Sequence, residues 1–315
     1  MKPWMTKVLV GAFLMVLLVE LVLRLGLGLG TPPLYRADPN YEYIYQANQD
    51  LNRRGNHVLT NAYSMRSHPL RKDDGLRVLK VGDSVIHGGG QTDHDSLAST
   101  RLEIALQKHF AQNIRVLNIS AGSWGPDNGL AYLKSQGDFG AKVLLLVYSS
   151  HDLYDRMTHY PMVGDDPDYP STTPVMAMQE VWQRSIAPRI QGKKEYSEDA
   201  WNQLIQSQAD TNEGWQGLID FGISRKMDVI VYLHPTQEEL KNGEFNANGR
   251  YLCEWLRNKP VTFIDGREVS GMDGYRDHIH LNDQGQKYLY KGILPALENA
   301  VKRQLTPHQL ESGSS

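Results

Sequence analysis

The stretch LRVLKVGDSVIHGGGQTD, residues 76–93, joins a short apolar run to a cluster of small residues. The run is rich in Val and Leu and stops at Gly82-Asp83-Ser84, a pattern typical of a buried strand that ends in a tight turn. Gly, Asp and Ser are also the ordinary residues of turns, so the tripeptide alone leaves two interpretations open. Ser84 is either a turn residue or a nucleophile held at the end of a strand.

Four more apolar runs follow the first, and all five consist almost entirely of Val, Ile and Leu, which favours strands covered on both faces. The predicted strands are residues 77–83, 114–120, 142–150, 227–235 and 261–266. Helical segments are predicted at 95–110, 198–226 and 281–305. Because alternating strands and helices imply right-handed crossovers, we expect an α/β fold with one doubly wound, mainly parallel five-stranded sheet.

The N-terminal segment is unusually apolar. Residues 8–30 carry Glu20 and Arg24 as their charged residues, and at about 1.5 Å per residue they can cross a hydrocarbon core of about 30 Å. Glu20 and Arg24 are spaced to share one helix face and to pair. A cleavable signal peptide is the alternative, but the run is long and no clean cleavage site follows. A retained transmembrane anchor over residues 1–30 is the favoured interpretation.

The rest of the chain divides into three parts. Residues 31–75 are rich in Pro, Asn and Tyr without a sustained period, which predicts an extended stalk or a wrapping arm. Residues 76–305 are the predicted α/β domain, with an irregular insertion at 156–197 that we interpret as a lid or a binding loop. Residues 306–315 are interpreted as a disordered tail.

Composition excludes several classes of function. The 315 residues are 40% hydrophobic and 22% charged with a formal net charge of −3, so nothing predicts a nucleic-acid partner. The single cysteine, Cys253, excludes an internal disulfide and a cysteine-rich metal site.

Positive charges flank the apolar segment on both sides, so charge alone does not fix the orientation of the segment in a membrane.

Chemically active residues follow several of the predicted strands. Ligands of open parallel sheets bind beyond the carboxyl ends of the strands, so these residues are expected to converge. Ser84 follows the first strand, Gly122 the second and His151 the third, and Asp277 and His280 follow the fifth. The sequence therefore predicts a site at this edge of the sheet.

A serine in such a site needs an adjacent base, because its hydroxyl is a weak nucleophile at neutral pH. His280 is the candidate base, and Asp277 is placed to orient and stabilise the imidazole. The amides of Ser84 and Gly122 are candidate donors to an oxyanion. Asp277, His278 and His280 also allow a zinc site, but no further ligand set stands out, so no metal site is predicted.

The segments VGDSV, LNISAGSWG, SSHD and DHIH match, in this order, the sequence blocks of the SGNH (GDSL-like) hydrolase superfamily. The resemblance covers residues 76–305 and implies a flavodoxin-like fold that works without a cofactor. It makes Ser84 the nucleophile and an oxyanion donor, Gly122 the second donor, and Asp277 and His280 the rest of a triad. The family usually has Asn where this chain has His151, whose ring N–H is expected to act as the third oxyanion donor.

The front half of the chain resembles membrane-anchored SGNH proteins of bacterial exopolysaccharide systems, including alginate-type O-acetyltransferases and related acyl esterases. The shared features are an apolar helix with Glu and Arg, a Pro/Tyr-rich arm, and LTNAYSMRS before the GDS strand. This resemblance implies a single-pass protein of the inner membrane with a periplasmic domain. It also implies a polysaccharide or acyl-ester substrate and, in some relatives, a membrane-bound O-acyltransferase partner.

Two alternative functions stay open. One is a catalytically degenerate SGNH scaffold that binds polysaccharide or docks a partner, which the substitution at His151 favours. The other is a lipid-directed esterase or thioesterase, which a membrane tether would suit. Transferase and esterase would use the same residues, so the sequence does not separate them.

Overall fold

The chain begins with an apolar helix, α1, which spans Pro3–Leu21 and continues through a π-helical turn at Val22–Gly26. It is seen in a computed structural model that describes residues 2–191 and 211–305. No residue of α1 is buried, and over Pro3–Gly26 the helix is long and apolar enough to cross a membrane. The predicted N-terminal apolar helix is therefore present, and it starts at Pro3, where proline fits the first helical turn.

The arm at residues 31–75 contains two antiparallel hairpins. Strands β1 (Tyr35–Asp38) and β2 (Glu42–Tyr45) form the first, and β3 (Asp50–Arg53) and β4 (Asn56–Leu59) form the second. The first hairpin buries aromatic residues in the main apolar core, so the arm is packed as part of the folded domain. Each strand is only four residues long, too short to show an alternating period in the sequence.

The centre of the protein is the predicted five-stranded parallel sheet, which is confirmed. Its strands are β5 (Arg77–Gly82), β6 (Arg115–Ser120), β7 (Val143–Ser149), β8 (Asp228–His234) and β9 (Thr262–Asp265). All neighbouring pairs are parallel, in the order β6-β5-β7-β8-β9. This order is that of the flavodoxin-like doubly wound sheet, whose direction of winding changes beside the first strand.

In the described part of the chain, the helices after α1 are α2 (Ser84–His87), α3 (Ala98–Phe110), α4 (Pro126–Gln136), α5 (Ala177–Val181), α6 (Ala187–Gln191), α7 (Gly214–Ser224), α8 (Gln237–Asn242), α9 (Ala247–Arg257) and α10 (Asp283–Leu305). Helices α3 and α10 pack on one face of the sheet, and α4, α7 and α9 pack on the other. The predicted helices at 95–110 and 281–305 correspond to α3 and α10. The helix predicted at 198–226 is seen as α7, and its residues 198–210 lie outside the described part of the chain.

The core consists of two apolar clusters, one on each face of the sheet. In the central strand β7, Leu144 and Leu146 belong to one cluster, and Leu145 and Val147 belong to the other. The first cluster packs α4, α7 and the arm, and the second packs α3 and α10. Burial of each such side chain contributes about 1.5–3 kcal/mol to the free energy of unfolding. Because both faces of these strands are covered, successive side chains are all buried, which explains why the strands are continuous apolar runs.

The insertion at 156–197 is only partly irregular. A loop is followed by α5, a π-helical turn at Trp182–Ile186 and α6, which together form a continuous helical segment over residues 177–191. The rest of the insertion and the predicted tail at 306–315 lie outside the described residues.

Candidate active site

Ser84 lies at the junction between a strand and a helix. β5 ends at Gly82, where a Cβ would come within 2.2 Å of the carbonyl oxygen of Val147, so the close approach of the strands requires glycine. Asp83 is extended, and its carboxylate accepts a 2.8 Å hydrogen bond from the Val85 N–H, which caps α2. Because the first N–H groups of a helix have no partner within it, the Ser84 amide is free to bind a ligand.

His280 lies between Ser84 and Asp277. Its Nε2 is 2.9 Å from Ser84 Oγ, and its Nδ1 is 2.8 Å from Asp277 Oδ2. The other carboxylate oxygen of Asp277 accepts hydrogen bonds from the backbone N–H groups of Ile279 at 3.0 Å and His280 at 2.8 Å. The structure thus brings the three predicted triad side chains together in the order serine, imidazole, carboxylate.

The hydrogen bonds that Asp277 accepts keep its carboxyl group ionised. Desolvation raises the pKa of Asp277, but the N–H groups of His280 and Ile279 and the His280 ring outweigh it and hold the pKa at about 2. An ionised carboxylate can only accept, so His280 Nδ1 carries the proton. In a neutral ring, Nε2 can then accept the hydrogen of the Ser84 hydroxyl, which is what a general base requires.

The loop that carries Asp277 and His280, residues 275–281, is held by the end of a neighbouring strand. His234 is the last residue of β8, and its Nε2 lies 2.9 Å from the carbonyl oxygen of Ile279. The carbonyl can only accept, so His234 Nε2 donates, and burial lowers the pKa of His234 to about 4. His234 was not singled out in the sequence, although a histidine at the carboxyl end of a strand was a usable signal.

Two more hydrogen bonds hold the same loop. The Tyr275 hydroxyl donates to the carbonyl oxygen of Pro235 at 2.6 Å. The backbone N–H of Gln237 donates to the carbonyl oxygen of His278 at 2.8 Å. Both contacts come from the segment that follows β8, so this segment holds the loop that carries His280, although none of its residues touches Ser84 in the described hydrogen bonds.

Gly122 is held by aromatic residues of the arm. Tyr43 donates its hydroxyl to the Gly122 carbonyl oxygen at 2.8 Å, and Trp124 Nε1 donates to the Tyr43 carbonyl oxygen at 2.9 Å. A Cβ at Gly122 would contact only the Tyr169 hydroxyl, at 3.8 Å, so space is open beside this residue. The role of the Gly122 amide as an oxyanion donor is consistent with this placement and stays a prediction.

The ring of His151 lies beside two buried carboxylates. Its Nε2 is 3.5 Å from Asp152 Oδ1, and ligand atoms of Asp83, His151 and Asp152 all lie within 4.8 Å of one another. Asp152 is fully buried, and its other oxygen accepts from the Ser149 N–H at 2.6 Å, whereas the His151 side chain is 48% exposed. One ring nitrogen of His151 therefore faces a carboxylate, and its role as third oxyanion donor stays a prediction.

Burial changes the protonation of this carboxylate pair. Desolvation, reinforced by repulsion from Asp152, raises the pKa of Asp83 to about 8. Desolvation and repulsion from Asp155 raise the pKa of Asp152 well above its usual range. Two carboxylates this close and this buried are costly to ionise together, so the pair holds at least one proton at neutral pH.

The alternative zinc site at Asp277, His278 and His280 is not assembled. The His278 side chain is 82% exposed, its Nδ1 lies 3.9 Å from Asp277 Oδ1, and both ring nitrogens of His280 already have partners. Within the described ranges, the residues whose ligand atoms approach one another closely enough for a metal are those around His151.

No protein-family model and no curated protein matches this chain. Several solved structures resemble it. A lipolytic protein of the G-D-S-L family from Veillonella parvula is 11% identical, with 70% of this chain and 97% of that chain covered and a TM-score of 0.40. An acetylxylan esterase from Geobacillus stearothermophilus, solved as a catalytic mutant, is 13% identical, with coverage of 72% and 95% and a TM-score of 0.40. A lipase from a goat rumen metagenome is 13% identical, with coverage of 70% and 97% and a TM-score of 0.42.

Proposed function

We propose that this protein is a serine-dependent acyl-transfer enzyme, an esterase or an O-acetyltransferase, that works through an acyl-enzyme on Ser84. The observation that carries the proposal is the hydrogen-bonded series Ser84 Oγ, His280 and Asp277, with separations of 2.9 and 2.8 Å. The free amide at the start of α2 supports it, because a tetrahedral intermediate needs donors that are already in place.

In the first half-reaction, Ser84 Oγ attacks the carbonyl carbon of an ester while its proton passes to His280 Nε2. Asp277 stabilises the imidazolium, and the amides of Ser84 and Gly122 donate to the oxyanion, where loss of one donor typically costs about 3 kcal/mol. His280 then gives the proton to the leaving alkoxide oxygen. An alcohol departs, and the acyl group stays on Ser84.

In the second half-reaction, an acceptor hydroxyl loses its proton to His280 Nε2 and attacks the acyl-enzyme. Collapse of the intermediate returns the proton to Ser84 and releases the acylated acceptor. If the acceptor is water the enzyme is an esterase, and if it is a sugar hydroxyl the enzyme is a transferase. The two outcomes depend on how far the site excludes water.

As substrate we propose the O-acetyl groups of an extracytoplasmic polysaccharide. As location we propose the bacterial inner membrane, with α1 as a single span and the α/β domain in the periplasm. The apolar helix over Pro3–Gly26 and the arrangement of the front half of the sequence support the location. The half-buried ring of Tyr169, whose hydroxyl lies beside Gly122, supports a sugar substrate, because aromatic faces pack on sugar rings. A membrane-bound O-acyltransferase is the proposed acetyl donor if the enzyme is a transferase.

The test uses the full chain in lipid nanodiscs, supplied with an activated acetyl ester with and without oligosaccharide acceptors. Mass spectrometry follows the acetyl group to the Ser84 peptide, to sugar or to water. Ser84→Ala should abolish turnover and labelling by a serine-directed phosphonate, whereas Ser135→Ala, on the exposed side of α4, should change neither. Turnover that persists in Ser84→Ala would contradict the proposal. A folded wild type without turnover or labelling would favour the degenerate scaffold.

A further inference from the structure

The helical segment of the insertion exposes large apolar side chains. This segment, residues 177–191 (α5, the π-helical turn and α6), is called the insertion helix below. Trp182 is 48% exposed, Ile186 is 38% exposed and Ile190 is 70% exposed, and just before the helix Val175 is 87% exposed. The three helix residues are spaced four apart, so they succeed one another along the helix.

The start of the insertion helix is bonded to the apolar helix α1. The Glu20 carboxylate accepts from the backbone N–H of Ala177 at 2.7 Å and of Met178 at 3.2 Å, so a side chain of α1 caps the insertion helix. Arg24 pairs with Glu20 at 2.6 Å and donates to the carbonyl oxygen of Val175 at 2.8 Å. These bonds account for the two charged residues within an otherwise apolar segment.

The opposite side of the insertion helix is bonded to the folded domain. Glu180 is almost fully buried, where it forms an ion pair with Arg53 and accepts from the Gly30 N–H at 2.7 Å. Arg184 pairs with Asp168 and reaches Glu180 at 3.5 Å. Glu180 and Arg184 thus face the protein, whereas the Trp and Ile side chains are left outside together with Arg189.

The contact with Glu20 sets the level of the insertion helix along α1. Glu20 precedes Gly26, the end of the apolar helix, by six residues, which is about 9 Å at 1.5 Å per residue. A span that places Gly26 near the membrane surface therefore places the start of the insertion helix at the depth of the lipid headgroups. A helix with a charged protein-facing side and an exposed Trp and Ile side is suited to that layer, where an apolar face inserts about 5–10 Å.

We propose that the insertion helix lies in the membrane interface, with Trp182, Ile186 and Ile190 inserted among the lipids. This inference rests on the proposed membrane span and adds a second lipid contact that fixes the α/β domain against the bilayer. The occupant of the exposed face is the lipid itself, because the face is continuous with the end of the apolar helix. Tryptophan at this position fits the enrichment of that residue at membrane–water interfaces.

The test measures the depth of single labels on the full chain in nanodiscs that contain lipids brominated near the headgroups. Cys253→Ala removes the only cysteine, and a bimane label is then placed at Ile186→Cys or Ile190→Cys. Ile223→Cys, an exposed isoleucine on α7, is the matched control. Leu9→Cys reports on α1, because the exposed Leu9 is about 25 Å from Gly26 along the helix and so lies near the opposite headgroups. A cooperative thermal unfolding transition like that of the wild type shows that each variant is folded.

We expect brominated lipids to quench most of the label fluorescence at 186 and 190 and little at 223. Quenching at 9 with no more quenching at 186 and 190 than at 223 would overturn the inference while leaving the membrane span intact. No quenching at 9 would overturn both the span and the inference. Labelling of the unmutated chain with a lipid-soluble carbene probe gives a second measurement. Peptides from residues 177–191 should carry the label, and their absence among the labelled peptides would contradict the proposal.

Discussion

The hydroxyl of Tyr43 donates a 2.8 Å hydrogen bond to the carbonyl oxygen of Gly122, across 79 positions of the sequence. Tyr43 belongs to β2 of the arm, and the backbone of Tyr43 is itself held by the Trp124 indole. The residue proposed as second oxyanion donor is therefore positioned by the arm. Tyr43 acts through Gly122 and does not itself need to contact the substrate.

Tyr43→Phe removes this hydrogen bond and keeps the ring. A hydrogen bond contributes about 0.5–1.5 kcal/mol net, so we expect kcat to fall about 2- to 12-fold with little change in KM. Steady-state kinetics with an activated acetyl ester measure this, with Tyr251→Phe, an exposed ring on α9, as the control. A kcat that Tyr43→Phe leaves unchanged would mean that Gly122 is held without Tyr43.

Asp277→Asn should have a larger effect. The amide of asparagine can donate to His280 Nδ1, which would leave the proton on Nε2 and block its role as base for Ser84. We expect kcat to fall about 10⁴-fold with the fold intact, as for comparable triads. Asp220→Asn, an exposed carboxylate on α7, should retain activity. Activity of Asp277→Asn close to that of the wild type would contradict the assignment.

His234→Phe tests whether His234 holds the loop at residues 275–281, which carries Asp277 and His280. It keeps a ring between Tyr232 and Tyr275 but removes the donor to the Ile279 carbonyl oxygen. Because displacement of a catalytic group by about 1 Å can cost about 10²-fold, we expect kcat to fall about 10- to 100-fold. His234→Gln, which keeps a side-chain N–H, should recover part of the loss. Equal losses in both variants would indicate that His234 acts by packing.

The pKa of Asp83 predicts how stability varies with pH. The unfolded chain releases this proton near the ordinary value of 3.8, while the folded protein keeps it until about pH 8. Between these values the folded state binds more protons, so stability falls as pH rises, by about 1.4 kcal/mol per pH unit for one proton. Below about pH 4 and above about pH 8 this contribution is constant.

Asp83→Asn keeps an oxygen that can accept from Val85 and removes the titrating proton. We expect its thermal midpoint to decline less between pH 5 and pH 8 than that of the wild type, measured by thermal unfolding in one detergent. Asp220→Asn should show the wild-type slope. If Asp83→Asn has that same slope, Asp83 is ionised in the folded protein.

The sheet and the convergence of the triad were predictable because both depend on regularities that extend along the chain. The five apolar runs are long enough to identify as buried strands, and parallel strands bring their carboxyl ends to one edge. That Ser84, Asp277 and His280 lie at one edge therefore followed from their positions, and their proposed roles came from their chemistry and from the resemblance of the sequence blocks. Their hydrogen-bond distances did not, since these depend on a loop held by His234 and by residues after β8.

The arm and the insertion helix were harder to predict. The arm strands are four residues long and their partners are adjacent hairpin strands, so neither period nor length marks them in the sequence. The contact of Tyr43 with Gly122 depends on tertiary packing, which has no local signal. The contact of the insertion helix with α1 also has no local signal, because Glu20 accepts from the backbone N–H groups of residues 177 and 178. The spacing of the sequence predicted only the pairing of Glu20 with Arg24.

The burial of the first hairpin sets a limit on where this protein can be cut. Proteolytic shedding between Gly30 and Leu34 would free the domain with Tyr43 still in place, although the Gly30 contact with Glu180 would be lost or weakened. A cut between the two hairpins would instead remove the tyrosine that holds Gly122 and expose apolar core. A shed form that retains activity is therefore expected to begin before β1.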